Sequence, residues 1–486
     1  MTPLHMFQRK PFAAPGDNNG GLHRHLGPWH LTLMGVGGTI GAGIFVLSGT
    51  VAANYAGPGV ALSFVLAAIA CACAALCYSE FASMSAEGGS AYLYVYRSLG
   101  LFPAWMVGWA LILEYLFAAA TVAVGWSGYF TGVLAAIGIP LPAHFAQGPV
   151  AFDAAHGLTL TGAWVNGPAV AIVTLVGFTL WRGIRESAQL NAVLMVVKVT
   201  AIVLVIAIAS WHIQPANWHP FIPPNQGAFG RFGWSGVFRG AGVVFFSFVG
   251  FDMISTAAQE SRNPQRDLPI GLLATLAICT LLYVAMALVM TGLVPFRELN
   301  VANPIMLALD RAGHGLQRLS LVVGLAATAG LASALVVSMY GQTRIFMAMA
   351  VDGLLPAAFG RIDAARRTPA FGTLVVSLAV GTAAAVMPVQ LLGELASIGT
   401  LMAFVAVCVG LMVMRRIAPA TPRLFRVPGG DVLPALGAIS CLCLMATLPA
   451  ETWLRFVVWT AVGAAIFFLR SGPSDNWDCV GKHNAP

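Results

Sequence analysis

The chain has 486 residues, of which 58% are hydrophobic and only 9% are charged, and its mean hydropathy is +0.82. This composition excludes a soluble globular protein. The net charge of +7 does not indicate a nucleic-acid-binding protein, because the basic residues lie in short segments between apolar runs and only three of them are lysines.

The apolar runs predict twelve membrane-spanning helices, because a hydrocarbon core about 30 Å thick needs about 20 mostly apolar residues. With Pro, Gly and charged residues as boundaries, the spans are residues 30–55, 58–83, 102–135, 167–182, 187–211, 234–257, 268–294, 317–349, 369–388, 391–414, 432–449 and 454–470. Most Lys and Arg then lie on the side of the two termini, which the positive-inside rule places in the cytoplasm. We therefore predict a multi-pass protein of the inner cell membrane with both termini cytoplasmic.

The first span contains a cluster of glycines, with Gly37, Gly38, Gly41 and Gly43 falling within seven residues. One interpretation is a close helix-packing seam, which needs small residues on a single face of the helix. These glycines occupy all faces, so the pattern favours a local break in the helix. Free amide groups at such a break bind a carboxylate, and unpaired carbonyl groups bind an ammonium.

Two ionisable residues lie deep within apolar runs, Glu114 in the third span and Lys198 in the fifth. A charge at this depth is costly and is usually functional. Lys198 is predicted either to gain and lose a proton during transport or to stand where a coupling sodium ion would bind. Glu114 pairs with Lys198, relays protons, or stays protonated with only a structural role.

A second break is predicted in the sixth span, where Gly250 and Asp252 interrupt an aromatic helix. Interrupted helices at corresponding positions of two halves are typical of inverted-repeat transporters whose binding site lies near the middle of the membrane. Asp252 lies near a predicted helix end, as do Glu80 and Glu394, and structural or gating pairs are predicted for these three acids. The cysteines lie mostly within apolar runs without His or carboxylate neighbours, so no metal site is predicted.

Several short tracts follow one another along the chain: Gly38–Ile44, Glu87–Tyr92, Gly183–Ser187, Phe246–Asp252, Asn263–Pro269, Gly341–Arg344 and Asp352–Pro356. In this order they resemble the amino acid/polyamine/organocation superfamily, and within it the cationic amino acid transporter subfamily with its bacterial members. The match covers residues from about 30 to 470. Two positions depart from the pattern, because Ala110 and Gln259 stand where many relatives carry an acid.

The resemblance implies an all-α, polytopic fold of twelve transmembrane helices, built as a five-plus-five inverted repeat of the LeuT type with two further helices. The implied organisation is a cytoplasmic tail (1–29), a first repeat (30–212), a second repeat (234–414), two additional helices (432–470) and a cytoplasmic tail (471–486).

The resemblance also implies a substrate site made of backbone groups at the two breaks. The residues are Ile40, Gly41, Ala42, Gly43 and Ile44 of the first break, and Phe246, Ser247 and Val249 of the second. The substrate carboxylate is expected on the amides around Ala42 and Gly43. Its amino group is expected near the carbonyls of Ile40, Phe246 and Val249.

Lys198 matches the family lysine that takes the place of sodium, and Glu114 matches a glutamate of the third span, so the resemblance implies proton coupling. The expected function is a secondary active transporter that imports L-amino acids, small or neutral ones in particular, by proton symport and alternating access. The alternatives are an amino acid exchanger, a cationic amino acid permease and, more remotely, a channel or a membrane-embedded enzyme. The expected partners are the L-amino acid substrate and the lipid bilayer, with no nucleic acid, no metal and no cofactor other than the coupling proton. The sequence identifies no accessory subunit.

Overall fold

The computed structural model describes residues 6–10, 26–84, 90–153, 157–183, 188–256, 261–313, 315–363, 366 and 368–470. The first half of this chain contains a broken helix followed by four longer ones and a hairpin. In order, its elements are α1 (Pro28–Thr39), a π-helix (Gly43–Leu47), α2 (Ser48–Val51), a π-helix (Ala52–Ala56), a 3-10 turn (Gly57–Gly59), α3 (Val60–Met84), α4 (Ala91–Ser98), α5 (Leu101–Ala136), α6 (Ala143–Ala146), β1 (Val150–Asp153), β2 (Gly157–Leu160), α7 (Gly167–Arg182) and α8 (Ala188–Ala209).

The second half also contains a broken helix, formed by α9, a 3-10 turn and α10. Its elements are two 3-10 turns (Ser210–His212 and Pro215–Trp218), α9 (Gly233–Val244), a 3-10 turn (Phe245–Phe248), α10 (Met253–Thr256), α11 (Pro264–Leu293), a 3-10 turn (Phe296–Leu299), α12 (Pro304–Ala312), α13 (Gln317–Val351), α14 (Ala357–Gly360), α15 (Ala370–Val386), α16 (Val389–Ile417), α17 (Val432–Thr447) and α18 (Ala450–Arg470).

The described helices include seven stretches that are long and apolar enough to cross a membrane: Gly43–Met84, Leu101–Ala136, Val193–His212, Arg266–Leu293, Gln317–Val351, Val389–Ile417 and Ala450–Leu469. Three shorter apolar helices are α7, α15 and α17. The chain is therefore a polytopic helical membrane protein. The segment predicted as the fourth span forms the helix α7 with the predicted bounds, Gly167–Arg182.

The expectation of a purely helical fold needs one correction. Strands β1 and β2 form an antiparallel hairpin in which Val150 pairs with Leu160 and Asp153 pairs with Gly157. Prolines and glycines interrupt the segment between α5 and α7, so it does not form another long helix, and backbone groups in its middle part pair with each other as a hairpin instead. This hairpin marks one end of the helix bundle, which we call the hairpin side.

The two ends of the bundle are closed by different contacts. On the hairpin side, Asn54 donates a hydrogen bond to Asn300 Oδ1 (3.0 Å), which ties the first broken helix to the segment before α12. On the opposite side, Glu80 of α3 binds Arg415 of α16 with an N···O distance of 2.5 Å. The core between them is formed by α5 packed against α13 and α16, and by α11 packed against α1 and α3.

Candidate functional site

The first predicted break is present between α1 and the π-helix. Ile40 leaves the helical conformation with φ −72° and ψ 104°, although its amide still donates to Val36 O (3.0 Å). The helix resumes at Gly43 in π geometry, a form that is rare and is often found at functional sites. Amides in the first turn of a helix lack partners within the helix and can bind an anion; in this turn the amide of Phe45 donates to Gly41 O (3.5 Å).

The second predicted break is present after the 3-10 turn Phe245–Phe248. Val249 has φ −59° and ψ 135°, and Gly250 has φ +106°. A side chain on Gly250 would be strained by this φ, and its Cβ would lie 2.8 Å from Gly38 O. The glycine predicted to interrupt this helix therefore permits both the turn and its close approach to the first broken helix.

The two breaks meet directly, and we call this contact the junction. A Cβ added at Gly43 would lie closer than 3.0 Å to the Cα of Ser247. Tyr283 of α11 spans the junction, because its hydroxyl lies 3.1 Å from Thr39 O and 2.8 Å from Ser247 O. Ser247 is buried, and its own hydroxyl has no hydrogen-bond partner in the described part of the protein.

The residues predicted to bind substrate therefore lie on two facing backbone segments. Gly41 and Val249 are partly exposed, whereas the others are buried: Ile40, Ala42, Gly43, Ile44, Phe246 and Ser247. Sequence reasoning missed Tyr283. The available signal was a tyrosine in the apolar run of α11, since a buried phenol needs a hydrogen-bond partner.

Lys198 contacts the first break. Its Nζ donates to the carbonyls of Gly37 (2.5 Å) and Ile40 (2.7 Å), at the C-terminal end of α1. Carbonyls at a helix C-terminus have no intrahelical partner and favour a cation. The lysine stem packs against Gly330 of α13, where an added Cβ would lie 2.9 Å from Lys198 Cβ.

Glu114 lies in a different environment on α5. It is buried beside Thr400 and Asp252, and its Oε2 has no hydrogen-bond partner among the residues described. Gly399 of α16 allows the close approach, because a Cβ there would lie 3.4 Å from Glu114 Cβ. Lys198 donates to carbonyls instead, so a direct ion pair between Lys198 and Glu114 is not formed in this conformation.

The acids predicted to form structural or gating pairs lie near the two ends of the bundle. Glu80 accepts hydrogen bonds from Arg415 and from the amide of Val427 (2.8 Å), so the predicted pairing of this acid is present. Glu394 accepts hydrogen bonds from Tyr55 (3.1 Å) and Thr452 (2.7 Å), which joins the first broken helix to α18.

A further cluster on the opposite side involves the segment 6–10. Lys10 Nζ lies 2.8 Å from Asp352 Oδ1, and Tyr92 of α4 donates to Asp352 Oδ2 at 2.9 Å. Burial and the neighbouring carboxylate of Asp352 raise the pKa of Tyr92, so its hydroxyl remains a donor. The cluster connects the segment 6–10 to α4 and to the end of α13.

A family model described as amino acid permease matches residues 26–477. The chain is 41% identical to the branched-chain amino acid permease BcaP of Bacillus subtilis (strain 168), over 93% of this chain and 93% of that protein. It is 38% identical to the methylthioribose transporter of the same organism, over 96% of this chain and 98% of that protein. It is also 38% identical to the vacuolar cationic amino acid transporter 4 of Arabidopsis thaliana, over 82% of this chain and 64% of that protein.

Proposed function

Because this chain belongs to the amino acid permease family, we propose that it is a secondary active transporter that imports an L-amino acid by proton symport. Its relatives are permeases and transporters, so the chain is not an enzyme. The observation that carries the proposal is the contact of Lys198 with the carbonyls of Gly37 and Ile40, directly at the junction.

The junction has backbone groups that are complementary to both the carboxylate and the ammonium of an amino acid. Amides at the start of the π-helix, around Ala42 and Gly43, bind the carboxylate with the help of the positive end of the helix dipole. Carbonyls of Phe246 and Val249 at the second break accept from the ammonium. The unpartnered hydroxyl of Ser247 supplies one more polar group at the same place.

Lys198 couples binding to the proton. When charged, it holds the carbonyls of Gly37 and Ile40 and fixes the end of α1. Loss of its proton removes a cation from these carbonyls, weakens the hydrogen bonds and allows the two halves of the broken helix to move relative to each other. In this proposal the Lys198 ammonium provides the positive charge at the helix end, so a sodium ion is not required there.

For the substrate class, we favour branched-chain and other neutral amino acids. The support is the similarity to BcaP, which extends over 93% of both chains. Methylthioribose is the second candidate, because the transporter of that compound is similar over 98% of its length. An exchanger and a cationic amino acid permease are further alternatives that the same uptake assay separates.

The finer architecture belongs to the same proposal. Twelve spans in a five-plus-five inverted repeat place α1 and α9 as the broken first helices of each half. The hairpin side is then external, and both termini are cytoplasmic in a cell membrane. In this arrangement the substrate reaches the junction from the hairpin side and leaves toward the opposite side.

The test is uptake of radiolabelled amino acids into proteoliposomes under an inward proton gradient, with and without sodium. We expect accumulation of L-leucine in sodium-free buffer, collapse of accumulation when the gradient is dissipated, and weak competition by L-lysine and methylthioribose. Dependence on sodium at a fixed proton gradient would contradict symport with protons. Uptake that needs a preloaded amino acid inside the vesicle would indicate an exchanger.

A further inference from the structure

A cluster of arginines and aromatic rings lies where α7 ends, on the side opposite the hairpin. The rings of Phe178 and Trp181 stack with their centroids 6.1 Å apart. The Cζ of Arg182 lies 4.4 Å from the centroid of the Phe178 ring, and the Cζ of Arg366 lies 4.0 Å from the centroid of the Trp181 ring. Each arginine is therefore held on an aromatic face by a cation–π contact. We call these four residues the arginine–aromatic cluster.

Backbone contacts bring the two arginines together from distant parts of the chain. Gly183 ends α7 with φ +78°, and a Cβ there would lie 2.5 Å from Arg366 O. The hydroxyl of Thr368 donates to the carbonyl of Trp181 (3.3 Å). The end of α7 and the segment before α15 are thus fixed against each other, and the arginine–aromatic cluster contains two cations from separate segments.

The position of α7 places the arginine–aromatic cluster near the surface of the membrane. This helix begins at Gly167, shortly after β2, and its 16 residues rise by about 24 Å before it ends at Arg182. The hydrocarbon core of a bilayer is about 30 Å thick. The far end of α7 therefore lies close to the opposite interface, where tryptophan rings and arginine head groups are commonly found.

Exposed apolar side chains lie next to the arginine–aromatic cluster on the hydrocarbon side. They include Leu175 on α7, and Phe371, Leu374 and Leu378 on α15. The two helices pack against each other, so these side chains belong to neighbouring surfaces. A soluble anion would use only the arginines, whereas a phospholipid would use both the cations and the apolar surface beside them.

Both guanidinium groups keep hydrogen-bond donors for a ligand. A guanidinium group has five N–H donors in its plane, and a stacking contact uses the face of that plane rather than its edge. Arg366 donates from Nη1 to Asp363 Oδ2 at 2.8 Å, which leaves its other N–H groups. Arg182 is exposed at the end of α7. Phosphate oxygens accept such charge-assisted hydrogen bonds readily.

We propose that the arginine–aromatic cluster binds the headgroup of an anionic phospholipid, whose acyl chains lie along the exposed apolar side chains of α7 and α15. Arg182 and Arg366 donate to the phosphate oxygens, so the bound lipid connects the end of α7 to the segment before α15. A zwitterionic lipid binds more weakly, because its own ammonium offsets the phosphate charge and is repelled by the two arginines. The inference goes beyond the proposed function and does not depend on what the protein transports.

The test is native mass spectrometry of the purified full-length protein, titrated with phosphatidylglycerol or with phosphatidylcholine. We expect the first phosphatidylglycerol to bind more tightly than phosphatidylcholine. Arg182→Gln and Arg366→Gln should each raise its dissociation constant about fivefold, and the double variant at least about tenfold. Arg297→Gln is the matched control, since this arginine lies 5.8 Å from the centroid of the Phe296 ring on the hairpin side. It should leave the dissociation constant within about twofold of the parent value.

An unchanged dissociation constant in the double variant would overturn the proposed lipid site, and so would equal binding of the two lipids by the parent protein. Displacement of phosphatidylglycerol by an excess of inorganic phosphate would show that the arginines bind a soluble anion instead of a lipid. Circular dichroism confirms that each variant is folded. Where the double variant is not recovered in folded form, Arg182→Gln decides alone, because its side chain is exposed.

Discussion

Two glycines at the junction of the broken helices, Gly41 and Gly43, differ in how much space an added side chain would have. Gly43 faces the main chain of Ser247, so any Cβ there collides with backbone, whereas a Cβ at Gly41 meets only Ala334 Cβ at 3.9 Å. Gly43→Ala should therefore lower stability by about 1–3 kcal/mol through overpacking. Gly41→Ala should fold normally, and Gly41→Leu should fold yet lose substrate binding.

Thermal unfolding in detergent and substrate binding, measured on the three variants together, check this difference between Gly41 and Gly43. A Gly43→Ala protein as stable as the parent would contradict the close contact with Ser247. Retained binding in Gly41→Leu would mean that the glycine cluster serves packing only.

Tyr283 connects the two breaks, because its hydroxyl lies within hydrogen-bonding distance of Thr39 O and Ser247 O. Tyr283→Phe keeps the ring and removes the hydroxyl, leaving two buried carbonyls with one fewer donor. We expect a loss of about 1 kcal/mol in stability and a clear fall in transport rate. Tyr340→Phe, at a tyrosine that is 43% exposed on α13, is the control and should be neutral in both assays.

Between elements, the strongest ionic connection joins α3, α16 and the segment before α17 on the opposite side. Glu80 is fully buried, and its partners Arg415 and Arg423 are almost as buried, with side chains 7% and 6% exposed. Glu80→Gln removes the carboxylate that Arg423 faces and leaves Arg415 with Asp431 (3.2 Å) as its acid partner, which should cost about 3 kcal/mol. The pair of Asp363 and Arg366, which is partly exposed, gives the comparison, since Asp363→Asn should change stability by no more than about 1 kcal/mol.

Equal unfolding temperatures for Glu80→Gln and Asp363→Asn would show that the Glu80 cluster does not hold the helices together. Circular dichroism melts at constant detergent concentration are sufficient for this comparison.

Energetic coupling between Lys198 on α8 and Glu114 on α5 stays a prediction, because the two side chains contact different groups. The coupling would act through α13, which packs against both helices. In a double-mutant cycle of Lys198→Ala and Glu114→Gln, we expect an interaction of at least about 0.5 kcal/mol in substrate binding. If the two substitutions change the free energy of substrate binding additively, Glu114 has only a structural role beside Thr400.

The sequence allowed prediction of the elements that follow from local pattern. Apolar runs located the main helices within a few residues, and the glycine cluster and Gly250 located both breaks, because each signal is contained in a short stretch of chain. Contacts between distant segments could not be predicted this way. The carbonyl partners of Lys198, the bridge made by Tyr283 and the contact of Arg366 with Trp181 each depend on how separate segments pack.

The whole molecule is a helical bundle with the junction of the two broken helices between its ends and a cluster of polar contacts at each end. Glu394 joins the first broken helix to α16 and α18 on the hairpin side, and Glu80 joins α3 to α16 on the opposite side. In the proposed transport cycle these two clusters open in turn while the junction keeps the substrate. Lys198 contacts the carbonyls of Gly37 and Ile40 at the junction, and in that proposal it links the proton to this movement.

The central claim is that substrate movement and proton movement are linked through Lys198. The most direct test follows lumenal pH with a trapped dye while L-leucine is added to sodium-free proteoliposomes. We expect lumenal acidification on addition of L-leucine to the parent protein. We expect no acidification in Lys198→Ala, even where that variant still exchanges labelled for unlabelled L-leucine. Acidification at the parent rate in Lys198→Ala, or uptake by the parent protein without any acidification, would contradict it.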